Sequence, residues 1–241
     1  MKLKKVFQRK ETKYLLTRGQ FEPFFQELTK QMEVDEFGKH TILSLYFDTT
    51  DFQFIQKSME KPKYKEKFRV RSYGVPQEDC LVFLEIKKKV KGIVYKRRLP
   101  ISYSEYCQWL ATGKFTTNGA SQIAQEITWL FSRHADLQPK TLIAYDRLSL
   151  FGKEEEDFRV TFDQNIRYRT QELVLEKGSN GELVAPEIDV LMEVKALGAY
   201  PIWFVELLNN YGVRKGSFSK YAETFKRHLF VRNKEEITHV V

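Results

Sequence analysis

The sequence predicts an α+β fold, an antiparallel β-barrel of about eight strands with helices packed outside. Several segments alternate apolar and ionic side chains with a period of two, as in Phe68-Arg69-Val70-Arg71 and Leu84-Glu85-Ile86-Lys87. Helix-periodic stretches rich in aromatic residues lie between such segments and could cover their apolar faces. A closed sheet with a charged interior satisfies both patterns and leaves no strand edge unpaired.

In the first half of the chain, helices are predicted where apolar residues recur every three or four positions. Phe21, Phe24, Phe25 and Leu28 form one such stripe, and the polar run 49–51 opens a second, short helix. Period-two segments bounded by Gly, Pro or charged turns predict the strands. These strands are 3–16, 42–48, 63–73, 81–89 and 93–100, the last two forming a hairpin around Lys91-Gly92.

In the second half, residues 102–135 are predicted to be helical, with a Gly-containing loop at 112–119. The further predicted elements are strands 141–151, 158–162 and 189–197, and helices 202–211 and 219–230. The polar stretches 152–157 and 177–186 are too short to be domain linkers and are predicted to be surface loops. We therefore expect a single domain over 1–241, with a flexible tail at 232–241.

Composition indicates a folded protein with anionic partners. The 241 residues are 42% hydrophobic and 14% aromatic, which allows a core and excludes general disorder. The net charge of +8 favours nucleotides, polyphosphate, nucleic acid or an anionic membrane surface. Two cysteines, Cys80 and Cys107, indicate reduced thiols, and no apolar stretch resembles a signal peptide or a membrane span. We expect a soluble, cytoplasmic protein.

The positive charge is concentrated on predicted strand faces. Lys65, Lys67, Arg69 and Arg71 occupy every second position of one strand and would project from one face. Such cations repel one another unless a polyanion neutralises them, so the pattern predicts a strongly anionic ligand. Two other interpretations remain: solvent-facing strands, or a buried ion network. The network would need near-equal numbers of acids, whereas cations outnumber acids on these faces.

Arginine at several of these positions favours phosphate, because the guanidinium fork matches phosphate oxygens. Acidic residues in the same phase, as in the Glu193/Lys195 pair, could hold a divalent metal that bridges phosphates. There is no Walker-type loop, and His40, His134, His228 and His239 lack ligand spacing. Nucleic acid ranks last, since most aromatic residues lie out of phase with the cations.

Seven ordered motifs give the chain a family resemblance. They are Phe7-Gln8-Arg9-Lys10-Glu11-Thr12-Lys13-Tyr14, Ser44-Leu45-Tyr46-Phe47-Asp48-Thr49, Lys67-Phe68-Arg69-Val70-Arg71, Leu84-Glu85-Ile86-Lys87, Tyr145-Asp146-Arg147, Glu193-Val194-Lys195 and Ser217-Phe218-Ser219-Lys220-Tyr221. In this order the motifs resemble the VTC (vacuolar transporter chaperone) polyphosphate polymerase domain of the CYTH/triphosphate tunnel metalloenzyme superfamily. The superfamily's opening signature is Glu-x-Glu-x-Lys, and here Arg9 replaces the first Glu. That departure resembles the VTC branch, weakens a triphosphatase assignment and favours a polymerase-like tunnel.

The resemblance implies the triphosphate tunnel fold, an antiparallel β-tunnel open at both ends and lined by basic residues. It implies transfer of the γ-phosphoryl group of ATP onto polyphosphate, with Mn²⁺ or Mg²⁺ as cofactor. The catalytic residues it implies are Arg69, Arg71 and Lys220. The phosphate-binding residues it implies are Arg9, Lys13, Lys67, Lys87, Arg98, Arg147, Arg159 and Lys195. Glu193 is the implied metal ligand, with Glu11 and Glu85 as secondary candidates, and Lys96 is an alternative to Arg98.

The expected partners are ATP and polyphosphate or inorganic phosphates, with nucleic acid disfavoured. A separate membrane protein is a further expected partner, which would place the chain at the inner face of a membrane. Two other functions are left open by the residues. One is a phosphohydrolase that cleaves triphosphate or polyphosphate with water. The other is a non-catalytic sensor that binds polyphosphate or inositol phosphates.

Overall fold

The computed structural model describes residues 9–60, 62–90, 93–117, 119, 121–155 and 157–230. Its strands are β1 (Arg9–Leu16), β2 (Met32–Val34), β3 (His40–Asp48), β4 (Tyr64–Tyr73), β5 (Leu81–Val90), β6 (Ile93–Ser102), β7 (Gln138–Gly152), β8 (Arg159–Arg169), β9 (Glu182–Leu183), β10 (Val190–Leu197) and β11 (Lys215–Gly216). Its α-helices are α1 (Arg18–Gln31), α2 (Gln53–Met59), α3 (Tyr103–Thr112), α4 (Gln122–Arg133), α5 (Ile202–Asn210) and α6 (Lys220–Thr224).

The predicted fold class is confirmed: antiparallel strands dominate, and helices cover the apolar faces. The eight strands of eight or more residues, β1, β3 to β8 and β10, match the number expected. The strand path ends at β11 and β6 among the described residues, so backbone pairing does not close the barrel that the sequence predicted. Residues 3–8, 91–92 and 232–241 of the predicted elements lie outside the described residues.

Strand β8 is longer than expected, continuing to Arg169 instead of stopping at 162. The polar run Asp163-Gln164-Asn165 has the composition of a turn, which is why the sequence predicted an end there. The strand instead continues through Asn165, which has a φ of 50°, a left-handed conformation that asparagine tolerates better than most residues. The predicted last helix also differs, because α6 passes into a π-helical turn at Phe225–Leu229.

The described residues divide into two compact units. The first unit lies within Met1–His40, Tyr145–Ile166 and Ala185–Ser219, and the second within Thr41–Ala144, Arg167–Val184 and Lys220–Val241. The expectation of a single domain stays a prediction. No helix among the described residues is both long and apolar enough to cross a bilayer.

In the first unit the strand order is β11-β1-β10-β8-β7. The apolar faces of these strands pack on α1 and α5, where Phe24 meets Phe162 and Phe204 in edge-on contacts at 6.4 and 6.2 Å. Helix α1 begins with a capping box in which Thr17 and Gln20 satisfy each other's backbone amides. The opposite faces of β1, β10 and β8 carry the ionic side chains.

In the second unit the order is β7-β3-β4-β5-β6. Phe68 on β4 packs on Trp109 of α3 and Phe131 of α4, with ring centroids 6.2 and 5.3 Å apart. The alternation along β4 therefore turns Lys67, Arg69 and Arg71 to the face away from these helices. Helices α3 and α4 thus cover the apolar face, and the ionic side chains lie on the opposite face of the sheet.

Candidate functional site

The ionic face of the second unit is built from cross-strand rows on β4, β5 and β6. In one row Arg69 lies opposite Glu85, which lies opposite Arg98. Because neighbouring strands keep in-phase residues on one face, the whole set shares this side of the sheet. We call it the second-unit ionic face, and its members are Lys65, Lys67, Arg69, Arg71, Glu85, Lys87, Lys89, Lys96 and Arg98.

Glu85 is buried and is the centre of this face. Its Oε2 accepts from Arg69 Nε at 2.7 Å, with Arg71 Nε at 3.9 Å. Its Oε1 accepts from Arg98 Nε at 2.7 Å and lies 2.8 Å from Lys96 Nζ. Burial raises the pKa of this carboxyl, but the nearby Arg69 and Arg71 outweigh burial and hold the pKa well below its usual range. Glu85 therefore stays ionised and orients the surrounding cations.

Cations exceed acids on this face by eight to one, counting its nine members. Asp48, at the end of β3, also acts on Lys67, and counting it still leaves eight cations to two acids. It accepts hydrogen bonds from the backbone amides of Thr49, Phe54 and Ile55, and so begins helix α2. The ion-network interpretation, which requires similar numbers of acids and cations, therefore does not describe this face.

Two tyrosines without a predicted role connect α6 to the ionic face. Tyr46 stacks on Tyr221 with centroids 4.6 Å apart, and the Tyr46 hydroxyl accepts from Arg69 at 2.9 Å. The Tyr221 hydroxyl donates to Asp48 at 2.8 Å. Lys220, which precedes Tyr221, is buried at the start of α6. Period two along β3 places Tyr46 in phase with Asp48, a signal from which the sequence could have identified Tyr46.

The first unit carries a balanced ion network. Arg147 forms two hydrogen bonds to Asp163, at 2.6 and 2.7 Å, and a third to Glu193 at 3.2 Å. Lys13 lies 3.0 Å from Glu193 and also donates to the carbonyl of Phe218. Two longer pairs complete the network, Lys195 with Glu11 at 3.7 Å and Arg159 with Asp35 at 3.9 Å.

Four cations and four carboxylates are thus paired in this network. Burial lowers the pKa of Arg147, but the Asp163 carboxylate outweighs it and keeps the guanidinium charged. Burial also lowers the pKa of Lys195.

Asp163 is a residue that the sequence reasoning missed. It continues the period of Arg159 and Thr161, and extending β8 beyond 162 would have found it.

The predicted site residues fall into two sets. The second unit brings together Lys67, Arg69, Arg71, Lys87, Arg98 and Glu85, and the first unit brings together Lys13, Arg147, Arg159, Lys195, Glu193 and Glu11. Lys96 and Arg98 both contact Glu85 on this face, and which of the two binds phosphate stays a prediction. The side chain of Arg9 lies outside the described residues. One enclosed cavity shared by both sets stays a prediction.

The predicted metal ligands differ in how well they suit a divalent cation. Within the described residues, no three Asp, Glu, His or Cys side chains form a ligand cluster. Four cationic side chains surround Glu85 within 4 Å, which opposes a metal there. Glu193 fits better, because Mg²⁺ and similar ions often bind one or two carboxylates and take their other ligands from phosphates and water. Glu11 is exposed and 3.7 Å from Lys195, so it remains secondary.

Comparison with known proteins agrees with this fold. The chain resembles a putative adenylate cyclase from Bacillus halodurans at 14% identity and a TM-score of 0.55, covering 87% of this chain and 92% of that one. It also resembles a putative adenylyl cyclase from Hippeastrum with a dominant triphosphatase activity, at 13% identity and a TM-score of 0.53, covering 90% and 94%. At such identities the likeness concerns the fold alone. No curated protein matches the chain.

The sequence profile of the VTC domain matches residues 8–228, nearly the whole chain. The match spans both units, and it includes the strands that carry Lys13, Arg69, Glu85, Arg147 and Glu193. The resemblance inferred from the ordered motifs is therefore confirmed. The chain belongs to the VTC domain family.

Proposed function

We propose that this protein binds triphosphate and polyphosphate and transfers the γ-phosphoryl group of ATP onto a polyphosphate chain. The observation that carries the proposal is the charge excess of the second-unit ionic face, eight cations around one carboxylate. An excess of this size is neutralised by a ligand with several negative charges, as a phosphate chain has. Membership of the VTC domain family supports the same ligand class.

The arginines of this face suit the reacting phosphates. Glu85 binds the Nε atoms of Arg69 and Arg98, which fixes the planes of both guanidinium groups before a ligand arrives. Arg71 is buried beside them. Such preorganised cations stabilise charge that spreads over the phosphoryl oxygens in the transition state. We assign Arg69, Arg71 and Arg98 to this clamp, with Lys220 as a further cation.

The chemical step needs little covalent assistance from the protein. A terminal oxygen of the acceptor chain is already anionic, so it attacks the γ-phosphorus without a general base. The new P–O bond forms as the bond to the β-phosphate oxygen breaks, and ADP leaves with the electron pair. The protein therefore contributes alignment of the two chains and neutralisation of their charge.

Glu193 is the residue that we propose to hold Mn²⁺ or Mg²⁺, together with phosphate oxygens. The metal would act as a Lewis acid and neutralise part of the charge on the phosphates. Arg147 contacts both Glu193 and Asp163, so it holds the Glu193 carboxylate in a defined position. Lys13 contacts the other oxygen of Glu193 at 3.0 Å and would bind phosphate from the same place.

The proposal is tested by incubating the pure protein with ATP and Mn²⁺ and following two products, phosphate chains on a gel and free phosphate. Chains with ADP, and little free phosphate, are the expected result. Free phosphate without chains would replace the proposal with a phosphohydrolase, and binding without either product would replace it with a sensor. Arg71→Ala should abolish chain formation. Arg97→Ala is the matched control, because Arg97 contacts Glu126 on the opposite face of the sheet.

A further inference from the structure

The second-unit ionic face changes character at one end, where charged side chains give way to apolar ones. The residues that continue the phase of its cations there are Tyr73 on β4, Phe83 on β5 and Pro100 on β6. Arg71 lies directly opposite Phe83, which lies directly opposite Pro100. We call Tyr73, Phe83 and Pro100 the apolar end of this face.

The apolar end is accessible to solvent. Tyr73 is 48% exposed, Pro100 is exposed and Phe83 is half-buried. Phe68, by contrast, points to the opposite face of the sheet and packs on α3 and α4. The rings of the apolar end therefore lie outside the helix-covered core, beside the cations that face a ligand.

Contacts with neighbouring arginines hold the two aromatic rings in place. The rings of Tyr73 and Phe83 meet edge-on, with centroids 5.5 Å apart. Arg98 Cζ lies 4.7 Å from the Phe83 ring centroid, and Arg98 Nη2 lies 3.5 Å from the Tyr73 hydroxyl. Burial raises the pKa of Tyr73, but Arg71 and Arg98 outweigh burial and lower the pKa from its ordinary value. The rings are thus oriented before a ligand binds.

The spacing of the apolar end suits a ligand that combines phosphates with a flat ring. Arg69, Glu85 and Arg98 form one cross-strand row, which we call the arginine row. Successive in-phase residues lie about 7 Å apart along a strand, so Tyr73 is about 13 Å along β4 from Arg69. An extended nucleoside triphosphate presents its charges and its base in this order, whereas inorganic polyphosphate has no ring to place there.

We infer that the apolar end binds the base of the nucleoside triphosphate whose phosphates lie at the arginine row, with Tyr73 as the stacking ring. This inference rests on the proposed function and adds a base-binding part to its site. It also gives the bound nucleotide a direction, with the base at Tyr73 and the γ-phosphate towards Arg69. Stacking on an aromatic ring tolerates any base, because every base has a π-face. The apolar end would therefore distinguish nucleotides from inorganic phosphates, and not one base from another.

The test compares the binding of β,γ-imido ATP and of tripolyphosphate to the same variants at a fixed Mg²⁺ concentration, without turnover. Tyr73→Ala should weaken binding of the nucleotide about fivefold or more, because it removes the stacking ring. Binding of tripolyphosphate should change less than about twofold, which also shows that the variant is folded. Tyr73→Phe keeps the ring and should keep most of the nucleotide affinity.

Tyr95→Ala is the matched control. Tyr95 is 49% exposed, but it is in phase with Arg97, which contacts Glu126 on the opposite face of the sheet. This variant should leave both affinities unchanged.

Equal losses for both ligands in Tyr73→Ala would overturn the inference, because Tyr73 would then act only through Arg71 and Arg98. No loss for either ligand would remove Tyr73 from the nucleotide site. Nucleotide binding as weak in Tyr73→Phe as in Tyr73→Ala would assign the effect to the hydroxyl and refute stacking. A selective loss for the nucleotide, in a protein that makes no chains from ATP, would refute the polymerase proposal and leave this inference standing.

Discussion

Replacing Glu85 by Gln should cost stability and strengthen phosphate binding at the same time. The carboxylate is buried and lies within 4 Å of four cations, Arg69, Arg71, Lys96 and Arg98. Glutamine keeps the size of the side chain but removes the charge, so the four cations would repel one another with no acid between them. The same loss would leave the ionic face one charge more positive for an anionic ligand.

The size of the effect follows from burial. A single pair near 4 Å is worth about 4 kcal/mol at an effective dielectric constant of about 20, before desolvation is subtracted. Breaking a buried pair by removing one partner costs about 3–5 kcal/mol. Side-chain exposures of 23% for Arg69 and 46% for Lys96 let solvent screen part of the repulsion. We therefore expect a loss of about 3 kcal/mol, or roughly 6–12 °C in Tm for a chain of this length.

The assay is urea and thermal unfolding of both proteins at pH 7 in low-phosphate buffer. Glu126→Gln is the control, because Glu126 also contacts two cations, Lys88 at 3.5 Å and Arg97 at 3.4 Å. The Glu126 side chain is 22% exposed, so solvent screens these pairs more than those of Glu85. It should cost less than about 1 kcal/mol. Because the folded-state pKa of Glu85 is lowered, its contribution is fully present above the carboxyl's ordinary pKa and is lost as pH falls below it. The difference between wild type and Glu85→Gln should therefore shrink in strong acid.

Tripolyphosphate should restore more of the lost Tm in Glu85→Gln than in the control, since the ligand replaces the missing negative charge. The reasoning would be refuted by a variant as stable as the wild type, or by one that binds tripolyphosphate more weakly. Loss of turnover that excess Mn²⁺ restores would instead indicate that Glu85 is a metal ligand, contrary to its surroundings.

Three further predictions concern the rest of the site. Glu193→Gln should keep polyphosphate binding but lower ATP turnover by orders of magnitude, and added Mn²⁺ should not restore the turnover. An unchanged rate at saturating ATP and metal would show that the metal binds elsewhere. Tripolyphosphate should raise Tm more than orthophosphate at equal ionic strength, because it engages several cations at once, and equal shifts would contradict a polyphosphate site. The affinity for long-chain polyphosphate should fall as pH rises from 7 to 9, because Lys67 loses its charge over that range. Burial and the charges of Lys65 and Lys87 lower the pKa of Lys67 to about 8, against the opposing effect of Tyr46 and Asp48. Lys67→Arg stays charged over that range, so an equally steep fall in this variant would assign the pH dependence to another group.

Much of the fold could be read from periodicity. The alternation in Phe68-Arg69-Val70-Arg71 and the aromatic stripe of α1 each correspond to a described element with the expected buried face. Prediction failed where polar residues occur inside regular structure. Asp163 and Asn165 have turn-like character, yet backbone pairing with β10 and the left-handed φ of Asn165 carry β8 through them.

The family and the ionic character of the strands were thus accessible from the sequence alone, because side-chain phase is a local property of each strand. Strand order and register were not, since they depend on long-range packing of apolar faces on helices. The strand register places Glu85 between Arg69 and Arg98, and Lys67 opposite Lys87. Tertiary contacts bring the carboxylates of Asp163 and Glu193 to Arg147. The sequence alone determined that this protein carries cationic strand faces. Only the tertiary structure decided where those cations are matched by acids and where they exceed them, because charges compensate one another through space and not along the chain.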